Sequence, residues 1–495
     1  MNINILNGKK HIHFIGIGGS GMYPLAQILH AKGYFLTGSD NNETETLQAV
    51  RDMGIPVTLG QKAENIAGAD LIVHTAAIMA DNPELIAAKE SGVPVLERSE
   101  LLGIVTSWYD RAICVSGTHG KTTTTSMLTQ ILYTAGVDLS AFIGGKLPCI
   151  HGSGRCGSSD IMTCEACEFV DTFLKLYPNL SIILNIDNDH MDYFGTIDRA
   201  IESFHRFAEK TTTAVFYNGD DANTCRAMEG ITGKERITFG KTDQNDYYPT
   251  DIRRVNGLET CFTVMYQGKP LGDVTLHVAG LHNITNALAA LAAARYVGVS
   301  FADAAKGLAA FRGAGRRFEK KGVVNDITLV DDYAHHPDIE GIEVVPSARG
   351  VFFSMNGKEI RDLAAMEMGF HAVWAVFQPF TFSRTATLLD DFAKALSIPD
   401  HAVLTDIMGS REKNTYGIFT RNLGEKIPGA VWFPQDESDP NSNDTRKYEN
   451  FEQVCNYICD HAQPGDLVIT LGCGDVNKVN HQILDTLKQR AAQQK

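Results

Sequence analysis

The sequence predicts an α/β protein with three domains, each built on a mostly parallel sheet. Its 495 residues suit about three domains at roughly 150 residues each. Apolar strands alternate with helical segments along most of the chain, which is the pattern of βαβ units. Two glycine-rich turns each follow a strand and precede a helix, an arrangement that is typical of nucleotide-binding sites.

The N-terminal domain, residues 1–108, is predicted to be Rossmann-like. Its first strand, His11–Ile17, leads into a glycine turn over Gly18–Gly21 and a helix over Met22–Ala31. Further strands are predicted at Tyr34–Thr37, Leu71–Thr75 and Val93–Leu96.

The central domain, residues 109–322, is predicted to be of the P-loop ATPase type with a small antiparallel sheet. Its parallel strands are predicted at Arg111–Ser116, Ile161–Glu165, Ser181–Ile186 and Thr213–Asn218. The stretch Ile231–Val278 has short alternating segments separated by turns, which predict the antiparallel strands. Helices are predicted over His282–Tyr296 and Phe301–Leu308.

The C-terminal domain, residues 323–495, is predicted to be Rossmann-like again. Its strands are predicted at Ile327–Asp331, Ala372–Phe377, Ala402–Asp406 and Leu467–Leu471. The polar segment Asp436–Tyr448 predicts a loop.

Charge and composition limit the classes of partner. The chain has 44 basic and 59 acidic residues and a net charge of −15, whereas nucleic-acid and membrane-surface proteins carry basic patches. No stretch of about 20 apolar residues predicts a membrane span, and the N-terminus lacks a signal-peptide pattern. Ten scattered cysteines favour a reduced, cytoplasmic protein. We expect small-molecule partners, no nucleic acid, no membrane insertion, and a monomer or homodimer.

The strongest motif is the run Ser116–Thr123 (SGTHGKTT). Its glycines allow successive N–H groups to point at phosphate oxygens, Lys121 can reach the β/γ-phosphates, and the Thr122 hydroxyl can bind Mg²⁺. The motif is shorter than the general P-loop pattern because Val115 stands where the first glycine is expected. An ordinary glycine-rich turn is the alternative.

A second glycine motif, Gly16–Gly21 (GIGGSG), follows the first strand, and Asp40 stands at the end of the second strand. The pattern is typical of a pyrophosphate site. It fits either a nicotinamide dinucleotide or another nucleotide diphosphate, and a turn used only for packing stays an alternative.

Acidic and imidazole side chains follow two strands of the central domain. Glu165 and Glu168 lie in CEACE, and Asp187 and His190 lie in NIDNDH. Carboxylate oxygens near a phosphate loop suit Mg²⁺, although each group alone is more typical of an ordinary surface carboxylate or a capped loop. The Cys164–Cys167 pair matches only half of a zinc or redox motif.

Cationic residues recur in and before the third domain. Arg316 and Arg317 precede a strand that is followed by the run Asp331–Pro337 (DDYAHHP), and Arg384 follows another strand. These residues could hold nucleotide phosphate and ribose or another anion. A solvated salt bridge between domains is the alternative for the arginine pair.

In this order, the motifs resemble the Mur ligase family of peptidoglycan synthesis, over nearly the whole chain. The segments that carry the resemblance are HIHFIGIGGSGM (His11–Met22), GTHGKTTTT (Gly117–Thr125), NIDNDHMDYFG (Asn185–Gly195), GLHNITNALAA (Gly280–Ala290), GAGRRFE (Gly313–Glu319), DDYAHHP (Asp331–Pro337), FQPFTFSRT (Phe377–Thr385) and REKNTYG (Arg411–Gly417).

The resemblance implies a UDP-sugar domain, an ATP domain and a third domain that closes over the site and receives the amino acid. The glycine turn and the DYAHHP segment favour the branch that joins L-alanine to UDP-N-acetylmuramate. In this family the substrate carboxylate takes the γ-phosphoryl group of ATP, and the amine then attacks the acyl phosphate. ATP and Mg²⁺ are the implied cofactors.

The resemblance also implies residue roles. Those implied in catalysis are Lys121, Glu165, His190, His335 and Arg384, and those implied as metal ligands are Thr122, Glu165 and His190. Residues implied in ATP binding are Gly117, Thr118, His119, Gly120, Lys121, Thr122, Thr123, Asn283, Asn286, Arg317 and Asp332. Residues implied in UDP-sugar binding are Gly18, Gly19, Ser20, Gly21, Met22, Asp40, Thr75 and Tyr333.

The chain departs from the family pattern beside the expected closure site. Residues Ile339–Lys358 are interpreted as an insertion, and Phe380 stands where the family usually has histidine. The alternatives are a Mur-type ligase with another acceptor, a non-catalytic paralogue, and a dehydrogenase that uses the first glycine loop for NAD.

Overall fold

The computed structural model describes residues 2–76, 78–187, 191–254, 259–278, 280–313, 319–332, 370–409, 412–433 and 449–493. The chain folds into two compact units. The first consists of residues 1–253, 260–277 and 283–314, and the second consists of the remaining segments, chiefly residues 315–495.

The first unit begins with a five-stranded parallel sheet in the order β3-β2-β1-β4-β5. The strands are β1 His11–Ile15, β2 Phe35–Asp40, β3 Val57–Leu59, β4 Leu71–His74 and β5 Val95–Glu97. The helices are α1 Tyr23–Ala31, α2 Glu45–Asp52, α3 Pro83–Glu90 and α4 Arg98–Thr106, with a 3₁₀ turn at Ala63–Ile66. Apolar residues of β1 and α1 pack into one core with residues of the central sheet.

The first unit also contains a ten-stranded sheet in the order β15-β14-β13-β12-β11-β10-β6-β9-β7-β8. Its strands are β6 Arg111–Ser116, β7 Ser140–Leu147, β8 Gly152–Arg155, β9 Ile161–Glu165, β10 Leu180–Ile183, β11 Ala214–Asn218, β12 Glu235–Phe239, β13 Tyr247–Arg254, β14 Thr260–Tyr266 and β15 Lys269–Leu276. Its helices are α5 Lys121–Thr134, α6 Met191–Phe194, α7 Ile197–Lys210, α8 Ala222–Ala227, α9 His282–Tyr296 and α10 Phe301–Ala310, with 3₁₀ turns at Pro148–Ile150 and Phe169–Lys175.

The second unit has a six-stranded sheet in the order β16-β17-β21-β18-β19-β20. Its strands are β16 Glu319–Val324, β17 Ile327–Asp332, β18 Val373–Phe377, β19 His401–Leu404, β20 Val431–Trp432 and β21 Leu467–Leu471. Its described helices are α11 Phe382–Thr387, α12 Leu389–Leu396, α13 Thr420–Gly424, α14 Glu449–His461 and α15 Asn477–Gln493. Its strand pairs are parallel apart from β16 with β17.

The predicted α/β class and its three sheets are confirmed. Strands β6, β9 and β21 and helix α9 have the predicted bounds. The predicted antiparallel strands β14 and β15 are present, but they extend the central sheet and do not form a sheet of their own. No described helix is both long enough and apolar enough to cross a membrane. The polar segment Asp436–Tyr448 and the proposed insertion Ile339–Lys358 lie outside the described residues.

Candidate functional site

The phosphate-loop motif forms a tight turn between β6 and α5. Gly117 has φ +140° and Gly120 has φ +82°, conformations that glycine adopts with little steric cost. A Cβ on Gly117 would lie 2.9 Å from the Leu184 Cβ atom, and one on Gly120 would lie 2.7 Å from the Asn286 Oδ1 atom. Because α5 has neither a side-chain cap nor an acidic residue in its first turn, its N-terminus is electrostatically suited to an anion.

Lys121 begins α5 and folds back over the loop. Its ammonium donates to the carbonyls of Gly117 and Thr118 at 2.6 and 2.8 Å and lies 3.0 Å from the Glu168 carboxylate. Burial acts to lower the pKa of Lys121, but Glu168 leads the groups that offset this, so the pKa lies above its ordinary value. The loop therefore carries a permanent cation in the pH range where phosphate is an anion.

Glu168 was named from the sequence only among the carboxylates that suit Mg²⁺, and its pairing with Lys121 was not anticipated. Its side chain is only 2% exposed and pairs with Lys121. The signal in the sequence was its position three residues beyond Glu165, just after β9. The sequence did not predict that the Glu168 carboxylate is directed back toward α5.

Thr122 and Glu165, the two predicted metal ligands that the structure describes, lie side by side. The Thr122 hydroxyl donates to the Glu165 Oε1 atom at 2.9 Å, and the Gly144 N–H donates to Oε2 at 2.7 Å. A hydroxyl and a carboxylate next to a phosphate loop are hard oxygen donors of the kind that Mg²⁺ prefers. These residues therefore fit the implied ion.

The segment after β10 forms hydrogen bonds with the phosphate loop. The sequence predicted a strand to Ile186, but β10 ends at Ile183, and this frees the next residues to bond with the loop. The Asn185 Oδ1 atom accepts from the His119 N–H at 2.7 Å, and the Asp187 N–H donates to the Thr118 hydroxyl at 2.9 Å. His190 lies outside the described residues.

Two predicted ATP residues on α9 face the same loop. Asn286 donates from Nδ2 to the Asn283 Oδ1 atom at 3.1 Å, and both side chains are buried. The Asn286 Oδ1 atom faces Gly120, since a Cβ on that glycine would lie 2.7 Å from it. Thr123 is half-buried in the first turn of α5. The phosphate-loop and α9 candidates are therefore brought together in one place.

The first glycine motif turns between β1 and α1. Gly16 has φ +84°, and a Cβ there would lie 2.8 Å from the Thr75 Cγ2 atom. The turn ends β1 two residues earlier than predicted, because the Gly16 and Ile17 amides donate to the Ser39 carbonyl. Asp40 accepts from the Gly18 N–H at 3.0 Å. The structure thus places Thr75 and Asp40 against the loop that also carries Gly19, Ser20, Gly21 and Met22.

A buried polar network supports this loop from behind and was not anticipated from the sequence. The Glu84 carboxylate, which is fully buried, accepts from the Ser39 hydroxyl at 2.7 Å and lies 2.6 Å from the His13 Nε2 atom. The His13 Nδ1 atom lies 2.8 Å from the Thr37 hydroxyl. Glu84 therefore joins β1, β2 and α3 directly beside Asp40.

The structure describes only some of the predicted site residues in and just before the third domain. Asp332 ends β17, and Arg384 lies on α11. The Arg384 Nη1 atom is buried and has no hydrogen-bond partner among the described residues, as expected of a group that binds an anion. Arg317, Tyr333 and His335 lie outside the described part of the chain.

The cysteine pair has no further metal ligands in the described segments. Cys164 is buried beside Cys114 on the neighbouring strand, and burial raises the pKa of Cys167 to about 11. Within the residues that the structure describes, no group of three or more His, Cys, Asp or Glu side chains could share a metal ion.

Models of one protein family and several curated relatives match this chain. Residues 11–109 match the catalytic domain of the Mur ligase family, and residues 115–294 match the Mur ligase middle domain. The UDP-N-acetylmuramate–L-alanine ligase of Agathobacter rectalis is 41% identical over 96% of this chain and 97% of its own length. That of Acetivibrio thermocellus is 40% identical over 97% and 96%.

Solved structures show the same fold. The UDP-N-acetylmuramate–alanine ligase of Thermotoga maritima superposes with a TM-score of 0.76 at 26% identity, covering 97% of this chain and 100% of its own. The murein peptide ligase of Psychrobacter arcticus has a TM-score of 0.68 at 23% identity, covering 97% and 98%.

Proposed function

The chain belongs to the Mur ligase family, and on that premise we propose that it joins L-alanine to the lactyl carboxylate of UDP-N-acetylmuramate with cleavage of ATP to ADP and phosphate. The observation that carries this proposal is the phosphate loop, whose half-buried lysine, hydroxyl and carboxylate stand together at the ends of β6 and β9. The full-length relatives supply the substrate class.

The reaction has two steps. A carboxylate oxygen attacks the γ-phosphorus of ATP, the bond to the β–γ bridging oxygen breaks, and ADP leaves. The amino nitrogen of L-alanine then attacks the carbonyl carbon of the acyl phosphate and loses a proton, and phosphate leaves with the electrons of the C–O bond. The first step is required because a free carboxylate is a poor electrophile.

The phosphate loop stabilises the charge on the transferring phosphoryl group. With ATP bound, the Lys121 ammonium donates to phosphate oxygens where it now donates to the Gly117 and Thr118 carbonyls. Residues Gly117–Thr123 surround the phosphates, and Asn283 and Asn286 lie at the same loop. Such fixed donors lower the barrier because they are already oriented before charge develops.

Thr122 and Glu165 are the described residues that would hold Mg²⁺, with His190 as a third candidate. The bound ion would neutralise phosphate charge. The hydrogen bond from the Thr122 hydroxyl to Glu165 already places these two side chains together.

The remaining roles follow the order of the chain. We assign the UDP-sugar to residues 1–108, through Gly18–Met22, Asp40 and Thr75, and ATP to residues 109–322. Residues 323–495 receive the amino acid, with Arg384 as an anion-binding residue. Tyr333 and His335 join that site, and Arg317 and Asp332 contact the ATP phosphate and ribose.

A phosphate-release assay with each substrate omitted in turn tests the proposal. We expect release only when ATP, UDP-N-acetylmuramate and L-alanine are all present, together with a product that contains the new amide. Equal release without the UDP-sugar or the amino acid would overturn it. Binding of both nucleotides without turnover would indicate a non-catalytic paralogue, and glycine, L-serine and longer peptides in place of L-alanine test the acceptor.

A further inference from the structure

The turn formed by residues 168–173, which follows β9, has a strained backbone. Val170 has φ +52° and ψ +34°, and Asp171 has φ +55° and ψ +24°. Both residues lie in the left-handed region, where a β-branched residue such as valine is an outlier. Residues held in such conformations cost free energy, and they cluster at functional sites. The turn therefore needs contacts that hold it in this conformation.

The backbone on either side of the Glu168 side chain is held by this turn. The Asp171 N–H donates to the Glu168 carbonyl at 2.9 Å, and the Phe173 N–H donates to the Cys167 carbonyl at 2.9 Å. The Glu168 carboxylate lies 3.0 Å from the Lys121 ammonium. A change in the turn would therefore move the carboxylate that pairs with the lysine of the phosphate loop.

The Asp171 side chain connects the turn to two helices. Its Oδ2 atom accepts from the Tyr193 hydroxyl of α6 at 2.9 Å, and its Oδ1 atom accepts from the Ser203 hydroxyl of α7. At the end of the turn the connection is apolar instead. The Phe173 ring is buried and stacks on Phe207 of α7, with 4.7 Å between the ring centroids.

The strained residues are not held by burial of apolar surface. The Phe169 and Val170 side chains are 39% and 48% exposed, so they bury too little apolar surface to offset the backbone strain. Hydrogen bonds to a charged acceptor are stronger than those between neutral groups. The two hydrogen bonds of the Asp171 carboxylate are therefore suited to hold this part of the turn.

We propose that Asp171 is a positioning residue, whose carboxylate holds the strained turn and thereby keeps Glu168 in place against Lys121. The inference rests on the proposed function, in which Lys121 stabilises the charge on the transferring phosphoryl group. Because Asp171 acts through Glu168, its effect on turnover should disappear once the Glu168 carboxylate is removed. A residue that only stabilises the fold would have the same effect with or without that carboxylate.

A double-mutant cycle of D171A and E168A tests the proposal, with kcat for phosphate release as the readout. We expect D171A to lower kcat by about 10- to 100-fold and to cause no further loss in the E168A background. D171N should retain more activity than D171A, because asparagine tolerates the left-handed region and its amide oxygen still accepts a hydroxyl. The matched control is D198A, which removes an exposed carboxylate of α7 that pairs with Arg226 and should leave kcat unchanged.

Calorimetric titration with ATP gives the same cycle a second readout, since Lys121 belongs to the phosphate loop. We expect D171A and E168A to weaken ATP binding by similar factors that do not multiply in the double variant. Y193F and S203A, each of which removes one hydroxyl donor, take the place of D171A if that variant does not fold.

Unchanged kcat in D171A, or losses that multiply in the double variant, would overturn the inference. A different outcome identifies a failure of the proposed function. If the unchanged protein releases no phosphate with ATP, UDP-N-acetylmuramate and L-alanine all present, the proposed function is wrong, and the cycle on ATP affinity still tests the role of Asp171.

Discussion

The two glycine loops of the first unit differ in where their cation comes from. In the phosphate loop, Lys121 belongs to the motif and is paired with Glu168. At the first loop, the cation is Arg98, the first residue of α4, which lies more than seventy residues further along the chain and whose side chain stands against Gly21. The acidic groups differ too, since Glu168 pairs with the cation whereas Asp40 is bonded to backbone amides.

The difference shows that similar βα turns can balance charge in different ways. A lysine held by a buried carboxylate is kept in place without ligand and exchanges partners when a triphosphate binds. At the first loop, Arg98 lies against Gly21 whereas the Asp40 carboxylate accepts from the Gly18 N–H, so the two charges are held by different parts of the loop. Substitutions at the phosphate loop should therefore weaken ATP binding and leave UDP binding unchanged, and substitutions at the first glycine loop should do the reverse.

The largest expected effect is that of Lys121→Ala. Because the ammonium contacts the loop carbonyls and Glu168 but not the apolar core, we expect turnover to fall by about 10²- to 10³-fold with the fold retained. Phosphate release measures the loss, and UDP binding and circular dichroism serve as controls. Residual activity within tenfold of the unchanged protein would remove Lys121 from the mechanism.

The next largest effect is on stability, through the network behind the first loop. Glu84→Ala removes the buried acceptor of His13 and Ser39, and breaking such a pair costs about 3–5 kcal/mol in the free energy of unfolding. Urea unfolding measures this loss of free energy, and Glu43→Ala, which removes an exposed carboxylate, is the control. A loss below about 1 kcal/mol would show that the network contributes no more than a surface pair.

A matched pair of glycine substitutions compares the loops directly. Gly120 has φ +82°, so Gly120→Ala should cost about 1–2 kcal/mol and weaken ATP binding. Gly21 has no positive φ, and the atoms nearest to a Cβ at this position belong to the flexible Arg98 side chain, so Gly21→Ala should weaken UDP binding with less loss of stability. Thermal unfolding and the two binding assays separate these outcomes, and equal effects on both ligands would contradict the comparison.

The smallest expected effect is a shift in pH dependence. Glu168 holds the pKa of Lys121 above its ordinary value of 10.5, so the cation persists below that pH and is lost only as the pH rises through the raised pKa. Glu168→Gln removes the largest of the influences that oppose burial, so the pKa of Lys121 should fall and ATP affinity should decline at a lower pH. Titrations of ATP binding against pH test this, and superimposable profiles would contradict it.

Much of the fold could be predicted because buried parallel strands and glycine turns are local signals. The bounds of Arg111–Ser116 and His282–Tyr296 follow from the apolar run and the helical pattern alone. The end of β10 could not be predicted in this way, because Leu184–Ile186 is as apolar as the strand before it. The hydrogen bonds of Asn185 and Asp187 to the phosphate loop draw these residues away from the sheet.

By itself, the sequence determined the fold class, the family and the residues within motifs: Lys121, Thr122, Glu165 and Asp40 are recognised because their spacing along the chain is their signal. Only the tertiary structure decided which distant side chains join them, namely Glu168 on Lys121, Glu84 behind Asp40 and Arg98 over Gly21. The physical reason is that charge pairing depends on distances of a few ångströms in space, which a parallel sheet sets by bringing strand ends together.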